Sequence, residues 1–400
     1  MNSSLALPAL KLKRNEERRL RAGHLWVYSN EVDTGATPLS SFKAGDAVEL
    51  RSQRDEFLGY ATVNPQALLC ARLLSRDPLL PIGQPLLERR LRDALALRER
   101  LYASSHYRLV FGESDGLPGL VLDRYGDVVV GQTSTAGMDA LLPLIESVVR
   151  NLLQPRALVW KNNGSARDLE NLPKQLHCAF GEEPVEIEVR EAQLVFRVPL
   201  AQAQKTGWFY DQSFNRSLLA RFMPARARVL DVCSYAGAWA VTALAHGARE
   251  ALCVDSSAAA LACAQANARL NGHEVGALQG DAFEQLEALY KSGERFDVVV
   301  IDPPAFIKRR KDAPRGQAAY KKLNQLAMRL LTADALLVSC SCSFHLTSDE
   351  LVALIQAAAR HEQRWVQLLA AGGQSPDHPV HPAIPETRYL KAHFCRVTPE

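Results

Sequence analysis

The sequence predicts an α/β protein whose C-terminal half holds a parallel sheet, preceded by a small all-β unit and a central α+β unit. Three observations lead there. From about residue 200 onward, short apolar runs ending in Asp, Cys or Ser alternate with helical stretches, the pattern of βαβ units. Up to about residue 78 the runs are short, alternate in polarity and end in Gly, Asn or Asp. Between 85 and 195 helical and strand patterns are mixed. Four hundred residues also exceed what one core holds, so two or three domains are expected, and the patterns place three, at 1–78, 85–195 and 200–400.

In the first block "DAVELRS", "FLGYATVN" and "LLCARLLS" read as strands of a small barrel or sandwich. The stretch "RDPLLPIGQPLL" carries Pro78, Pro81 and Pro85 and reads as a linker. The second block opens with a helix, "LLERRLRDALALRERLY". Strands "YRLVFG", "LVLDRYGD" and "VVVGQTS" follow, joined by turns rich in Gly and Asp. One helix is then expected over "GMDALLPLIESVVRNLL", followed by "ALVWKNN" and the pair "VEIEVRE" and "LVFRVPL" in a mostly antiparallel sheet. In the third block the strands are "ARVLDVC", "REALCVD", "GALQGD", "FDVVVID" and "ALLVSCS", with helices such as "AWAVTALAHGA" and "SAAALACAQANARLNG" between them. Ligands of such sheets bind beyond the carboxyl ends of the strands, where the polar residues of this chain gather.

Composition narrows the class. The chain is 47% hydrophobic and 23% charged, and no apolar run reaches the ~18–20 residues that span a bilayer. The N-terminal stretch "MNSSLALPALKLKRNEERRLRAGH" puts its apolar residues before its charges, the reverse of a signal peptide. A cytosolic protein is expected. Its eight cysteines show no spacing of a disulfide framework and are expected as free thiols. The net charge of +3 says little about nucleic acid, but two basic clusters stand out. One holds Lys11, Lys13, Arg14, Arg18, Arg19 and Arg21; the other is "KRRK", Lys308 to Lys311. Either alone reads as a solvated face.

Asp231 closes the first strand of the parallel sheet, and Gly237 opens the next helix, where a glycine lets the backbone approach a ligand. "DVCSYAG" is not G-x-G-x-x-G, which disfavours a dinucleotide pyrophosphate. The next strand ends at Asp255, about two dozen residues on, where an acid accepts hydrogen bonds from ribose hydroxyls. Asp281 ends the following strand and suits an adenine edge. Each acid alone is equally a helix cap or loop aspartate; three at successive strand ends point to a nucleoside-bearing cofactor without phosphates. S-adenosylmethionine fits best.

The ladder "DVCSYAG", "VDSS", "GDAF", "DPPAF" and "SCSCS" resembles that of class I S-adenosylmethionine-dependent methyltransferases. Nearly the whole chain resembles, in order, the rRNA large subunit methyltransferase I family, which modifies cytosine C5 in 23S rRNA. "RAGHLWVYSNEV" is similar to the start of that family's PUA domain and "GESDGLPGLVLDRYGD" to its central domain. "QKTGWFYDQSFNR" is similar to the segment before its first Rossmann strand, and "RYLKAHFCRV" to its last strand. Ala238 departs from the family's usual glycine. The resemblance implies a C-terminal Rossmann-like methyltransferase domain behind a PUA β-barrel and a central α+β domain. It implies a cofactor site at Asp231, Tyr235, Gly237, Asp255, Ser256, Asp281, Ala282 and Asp302, and 23S rRNA as partner, with a homodimer left open and no membrane.

"DPPAF" ends a buried strand, and Pro303 and Pro304 remove two N–H donors and stiffen an edge on which a planar base lies. Many amino-methyltransferases carry a related motif, so it does not separate N- from C-methylation. The thiols do. C5 of a pyrimidine is a poor nucleophile, and a thiolate adding at C6 activates it, whereas an exocyclic amine needs no such help. In an extended strand Cys340 and Cys342 share one side. By resemblance to the family's S-C-S signature, Cys342 is the nucleophile and Cys340 strand filling. C-x-C lacks a second ligand pair for zinc, so no metal is expected. Related RNA cytosine-5 methyltransferases carry a further cysteine in the proline motif; "IDPPAF" has none. For the C5 proton Asp302 is the first candidate acceptor and His345 the second.

Because "KRRK" follows "DPPAF" directly, its place beside a flipped base favours phosphate contact. Pro303, Pro304, Phe306, Lys308, Arg309 and Arg310 are therefore the expected substrate-binding residues, and the N-terminal barrel with Lys11 to Arg21 a second RNA surface. His378 and His381, in a Pro-rich loop, read as structural. Two other functions stay in play: an RNA N-methyltransferase with Cys342 dispensable, and a non-catalytic assembly factor, against which the three acids argue.

Overall fold

The computed structural model describes residues 7–400; the first six residues, on which part of the N-terminal reading rests, lie outside the described chain. The described chain forms two compact units. One takes in the chain up to Ile187 with Ala203–Trp208 and Asp377–Thr387; the other holds Glu188–Gln202, Phe209–Pro376 and Arg388–Glu400.

The first unit contains two five-stranded sheets. Strands β1 (Ala9–Lys11), β2 (Trp26–Tyr28), β3 (Ala47–Arg51), β4 (Phe57–Val63) and β5 (Leu69–Ser75) lie in the order β1-β3-β4-β5-β2, with the short helix α1 (Arg18–Arg21) between β1 and β2. Alternation buries Val48, Leu50, Ala61, Leu73 and Val27 on one core. Helix α2 (Gln84–Leu101) leads to β6 (His106–Phe111), β7 (Leu120–Tyr125) and β8 (Val128–Thr133). The single helix expected over 137–153 is two, α3 (Ala136–Ala140) and α4 (Leu142–Leu153). Pro143 lacks the N–H a continuous helix would need, and its ring is tolerated only in the first turn, so the helix restarts there. Strands β9 (Ala157–Asn162) and β10 (Gln175–Phe180) complete the sheet β10-β9-β8-β7-β6, antiparallel except for β8 with β9. The pair β11 (Glu186–Glu191) and β12 (Leu194–Pro199), expected in that sheet, forms a separate two-stranded one.

His378 is buried, hydrogen-bonded to Asp377 at 2.8 Å and packed on Phe111. Asp377 accepts the Arg108 N–H at 2.8 Å, while Arg98 donates to its carbonyl at 2.7 Å. These bonds explain structurally why the Pro-rich loop around His378 and His381 belongs to this unit.

The second unit is built on a seven-stranded sheet. Its elements are α5 (Ser213–Phe222), β13 (Arg228–Val232), α6 (Ala238–Ala245), β14 (Glu250–Asp255), α7 (Ala258–Leu270), β15 (Gly276–Gln279), α8 (Ala282–Lys291) and β16 (Phe296–Ile301). After them come α9 (Ala313–Arg329), β17 (Leu331–Ser341), α10 (Ser348–His361), β18 (Arg364–Gly373) and β19 (Lys391–Pro399). The order is β15-β14-β13-β16-β17-β19-β18, parallel apart from β19. Helices α8, α9 and α10 bury Leu286, Leu326, Leu351 and Ile355 against Val299, Ile301 and Leu337. The strand order reverses between β13 and β16, which opens a crevice at their carboxyl ends.

Candidate active site

Parallel pairing fixes what reaches that edge. Val232 of β13 pairs with Val254 of β14 and Ile301 of β16, and Ile301 pairs with Ser339 of β17. One step further along lie Asp255, Asp302 and Cys340, with Asp231 one step back inside β13.

The turn after β13 is held in an unusual conformation. Cys233 (φ 64°), Tyr235 (φ 48°) and Gly237 (φ 76°) all take positive φ, which costs a non-glycine residue about 1–3 kcal/mol. The turn is pinned by N–H donors of Cys233 and Ser234 to the Val254 carbonyl, at 2.8 and 3.2 Å. Tyr235 N–H donates to Asp255 Oδ2 at 3.0 Å, and Phe209 meets the Tyr235 ring edge-on. Gly237 has a packing reason beside the one its motif suggests: a Cβ there would come within 2.7 Å of Ala264 Cβ on α7. Close packing of α6 on α7, together with φ, requires the glycine.

Asp231 is fully buried, with Oδ2 accepting the Ala240 N–H at 3.1 Å and Oδ1 meeting no partner. Burial first, then the charges of Asp302 and Asp255, push its carboxyl up to about 8 against the Ala240 bond and Arg216. Asp255 uses each oxygen once, for Tyr235 N–H and Ser257 N–H, so lone pairs remain. Asp281 is exposed and caps α8 by accepting Phe283 and Glu284 N–H, so it has a structural task whatever else it binds. Ser256 is exposed and Ala282 begins α8.

Two residues the motifs did not single out hold Asp302. Gln212 Nε2 and Trp239 Nε1 both donate to its Oδ2, at 2.9 and 3.1 Å, and Asn215 donates to Gln212 Oε1 at 2.6 Å. Gln212 sits in a polar run ahead of β13, whereas Trp239 reads as core in an Ala-rich helix.

The two thiols differ sharply. Cys340 is fully buried within β17, and burial, reinforced by Asp302, pushes its thiol well up. Cys342 lies one residue past the strand and is half-buried. Both neighbouring serines are buried and tied down: Ser341 donates to the Tyr320 hydroxyl at 2.9 Å, Ser343 shares a hydrogen with it at 3.0 Å, and Ile307 N–H donates to Ser343 Oγ at 3.1 Å. His345 is half-buried beside Phe344.

Of the expected substrate residues, Pro303 is buried and Pro304 exposed. Phe306 is half-buried, packed on Tyr320 and Phe283. Lys308, Arg309, Arg310 and Lys311 are all exposed, with Arg309 3.4 Å from Asp312. The N-terminal cluster is partly neutralised, because Lys11, Arg19 and Arg21 pair with Asp55, Glu31 and Glu56. Among the described residues no three His, Cys, Asp or Glu side chains gather to hold a metal ion.

The donor set fits a cationic nucleoside. Asp231 Oδ1, buried and unpartnered, suits an ammonium, and Asp255 suits a ribose diol. Asp255→Ala is expected to weaken S-adenosylmethionine by roughly 1.5–3 kcal/mol, read by calorimetry. A raised carboxyl disfavours the folded state once ionised, so this group's penalty grows as pH climbs from 3.8 toward about 8. A bound cation reverses that by favouring the ionised form. Binding near pH 7 should therefore release up to one proton, and affinity should rise toward neutrality and fall again once the ligand's own amino group, with an ordinary pKa of about 7.7–8.0, loses its proton. Calorimetry in buffers of different ionisation enthalpy reads the proton, and Asp231→Asn should abolish it.

Comparison with known proteins matches this architecture. A PUA-like domain family matches residues 10–76, and the S-adenosylmethionine-dependent methyltransferase family matches residues 172–386. Ribosomal RNA large subunit methyltransferase I of Klebsiella pneumoniae is 33% identical, covering 99% of this chain and 100% of its own. The protein of that name from Erwinia tasmaniensis is 32% identical, covering 97% and 99%. Among solved structures, a methyltransferase complexed with SAH superposes at TM-score 0.82 with 20% identity, covering 98% of this chain and all of that one. A SAM-dependent methyltransferase from Streptococcus mutans superposes at 0.81 with 21% identity over the same shares. At these identities the structural likenesses bear on the fold.

Proposed function

The chain belongs to the ribosomal RNA large subunit methyltransferase I family, whose members depend on S-adenosylmethionine, and on that footing we propose that it makes 5-methylcytosine in 23S rRNA through a Cys342–C6 adduct. One contrast carries the reading. Of the thiols on the parallel strands and β19, Cys253, Cys340 and Cys395 are buried, and burial pushes Cys395 up to about 12 and holds the other two well above the usual thiol range. Cys342, one residue past β17, is half-buried on a turn whose flanking serines are fixed, whereas burial pushes the half-buried Cys233 up to about 12.

The bound cofactor supplies an electrophilic methyl group. The Cys342 thiolate adds to C6, which forms the Sγ–C6 bond and moves an electron pair onto C5. C5 then takes the methyl group. Asp302, oriented through Oδ2 by Gln212 and Trp239, accepts the C5 proton, and the C5–H electron pair restores the ring double bond and expels the thiolate. Pro303 and Pro304 stiffen the edge beneath the base. In this reading the protein works on ribosomal RNA in the cytoplasm. No helix among the described residues is long and apolar enough to cross a membrane.

Nucleoside mass spectrometry of 23S rRNA methylated by the purified protein tests the proposal. 5-Methylcytidine is expected; N4-methylcytidine would hand the chemistry to the proline motif alone. Replacing Lys308, Arg309, Arg310 and Lys311 by Ala should weaken RNA binding and flatten its salt dependence by roughly 0.7–0.9 in slope for each phosphate no longer neutralised. Cofactor affinity should stay the same. An unaltered slope would leave the four as a solvated face.

A further inference from the structure

A lysine buried beside the reactive turn has no role in the chemistry described so far. Lys391 opens β19, where it lies opposite Ser341 in the antiparallel pairing with β17. It is only 8% exposed, although its side chain ends in an ammonium. That nitrogen donates to the Ser343 carbonyl at 2.5 Å and the Tyr389 carbonyl at 2.8 Å. Its seat on the Ser343 carbonyl places a cation on the residue that follows Cys342. Two carbonyls satisfy two of the three N–H donors of an ammonium and leave one. A cation taken out of water without a counter-charge is costly, and this one has only carbonyl dipoles as hydrogen-bond partners. The missing counter-charge is what a thiolate at Cys342 would supply.

We propose that Lys391 is the positioning residue that holds Cys342 as a thiolate, taking up the thiol proton and stabilising the sulfur anion before it meets the base. The S–H bond breaks, the proton joins the neutral Nζ, and the electron pair stays on sulfur. The ammonium–thiolate pair persists until the Sγ–C6 bond forms and is restored when the thiolate leaves.

Burial lowers the Lys391 amine to about 8, and the Cys342 charge is the largest influence raising it again, ahead of Glu350. An amine so placed exchanges protons near neutrality, as an ordinary lysine does not. The groups facing the pair are few. Tyr320 of α9 presents its hydroxyl to Ser341 and Ser343, and burial pushes that hydroxyl up. Glu350 approaches from α10. Cys340, buried in β17, faces both Cys342 and Asp302. His393, two residues along β19, is pushed down by burial and by Lys391. Lys391 is the cation among these, and a nearby cation lowers a thiol's titration point.

This inference rests on Cys342 as nucleophile, but its test needs no turnover. Site-resolved iodoacetamide alkylation of the full-length protein across pH 5 to 10 reads each thiol by peptide mass. In the wild type Cys342 should reach half-maximal alkylation at least about one pH unit below Cys178, a partly exposed thiol that burial pushes up. Lys391→Met should raise the Cys342 midpoint by about one unit or more and lower methyl transfer at pH 7.5 about tenfold, with recovery toward pH 9. S-adenosylhomocysteine affinity should be unchanged, and Lys391→Arg should keep the low midpoint. A wild-type Cys342 midpoint no lower than that of Cys178 overturns the proposal without any variant. So does a Lys391→Met protein that loses activity at every pH with its thiol midpoint unmoved, which would make the lysine a backbone prop. Full activity of Cys342→Ala with the midpoint shift present would instead strike the nucleophile reading and leave the ion pair standing.

Discussion

Cys342→Ala is expected to lower methyl transfer by roughly 10³-fold or more while leaving cofactor and RNA affinities within about twofold of wild type. The side chain is small and contributes little to ground-state binding, but the adduct it forms is what makes C5 nucleophilic. Its loss therefore appears in kcat and hardly in KM. The fold should survive, because bonds among Ser341, Ser343, Tyr320 and Ile307 hold the turn. Single-turnover transfer of a labelled methyl group to rRNA measures the effect. A variant that keeps a tenth or more of wild-type activity would be incompatible with covalent catalysis and would favour N-methylation.

Asp302→Asn should fail at a different step. Asparagine keeps an oxygen that accepts from Gln212 and Trp239, so the edge of the sheet should be preserved. It does not take up a proton as a carboxylate does. Adduct formation and methyl transfer should proceed, and release should slow by roughly 10²–10⁴-fold. The consequence is specific: with ordinary RNA and labelled cofactor, a methyl-labelled protein–RNA complex should accumulate and survive denaturing electrophoresis. Wild-type turnover by Asp302→Asn would move the proton acceptor elsewhere, with His345 next in line.

The acids and the thiol were legible because parallel strands announce themselves. Each apolar run of the C-terminal half stops at a polar residue, and parallel pairing sends all those stops to one edge. What supports them was not legible. Gln212 reaches Asp302 across ninety residues and Trp239 across sixty-three, contacts that only packing of α5 and α6 creates. Lys391 gave one faint signal, a lysine opening a strand whose first five residues are buried, but its bond to Ser343 follows from the register that sets Lys391 opposite Ser341. The pairing within the N-terminal basic cluster was not legible for the same reason: Lys11, Arg19 and Arg21 lie close in sequence, and the acids they pair with, Asp55, Glu31 and Glu56, lie further along the chain. The helix over 137–153 was overextended because apolar spacing continues through Pro143 even though the backbone hydrogen bonding does not.

The most direct test of the account is a trap for the covalent intermediate. RNA carrying 5-fluorocytosine at the modified position accepts the thiolate at C6 and the methyl group at C5, but fluorine does not leave C5 as a proton does. Wild-type protein and Cys340→Ala, which alters only a buried thiol, should each give an SDS-resistant RNA complex, and Cys342→Ala should give none. Trapping by Cys342→Ala but not by Cys340→Ala would make Cys340 the nucleophile. No trapped complex from the wild type, with methyl transfer to ordinary RNA intact, would contradict the covalent mechanism itself.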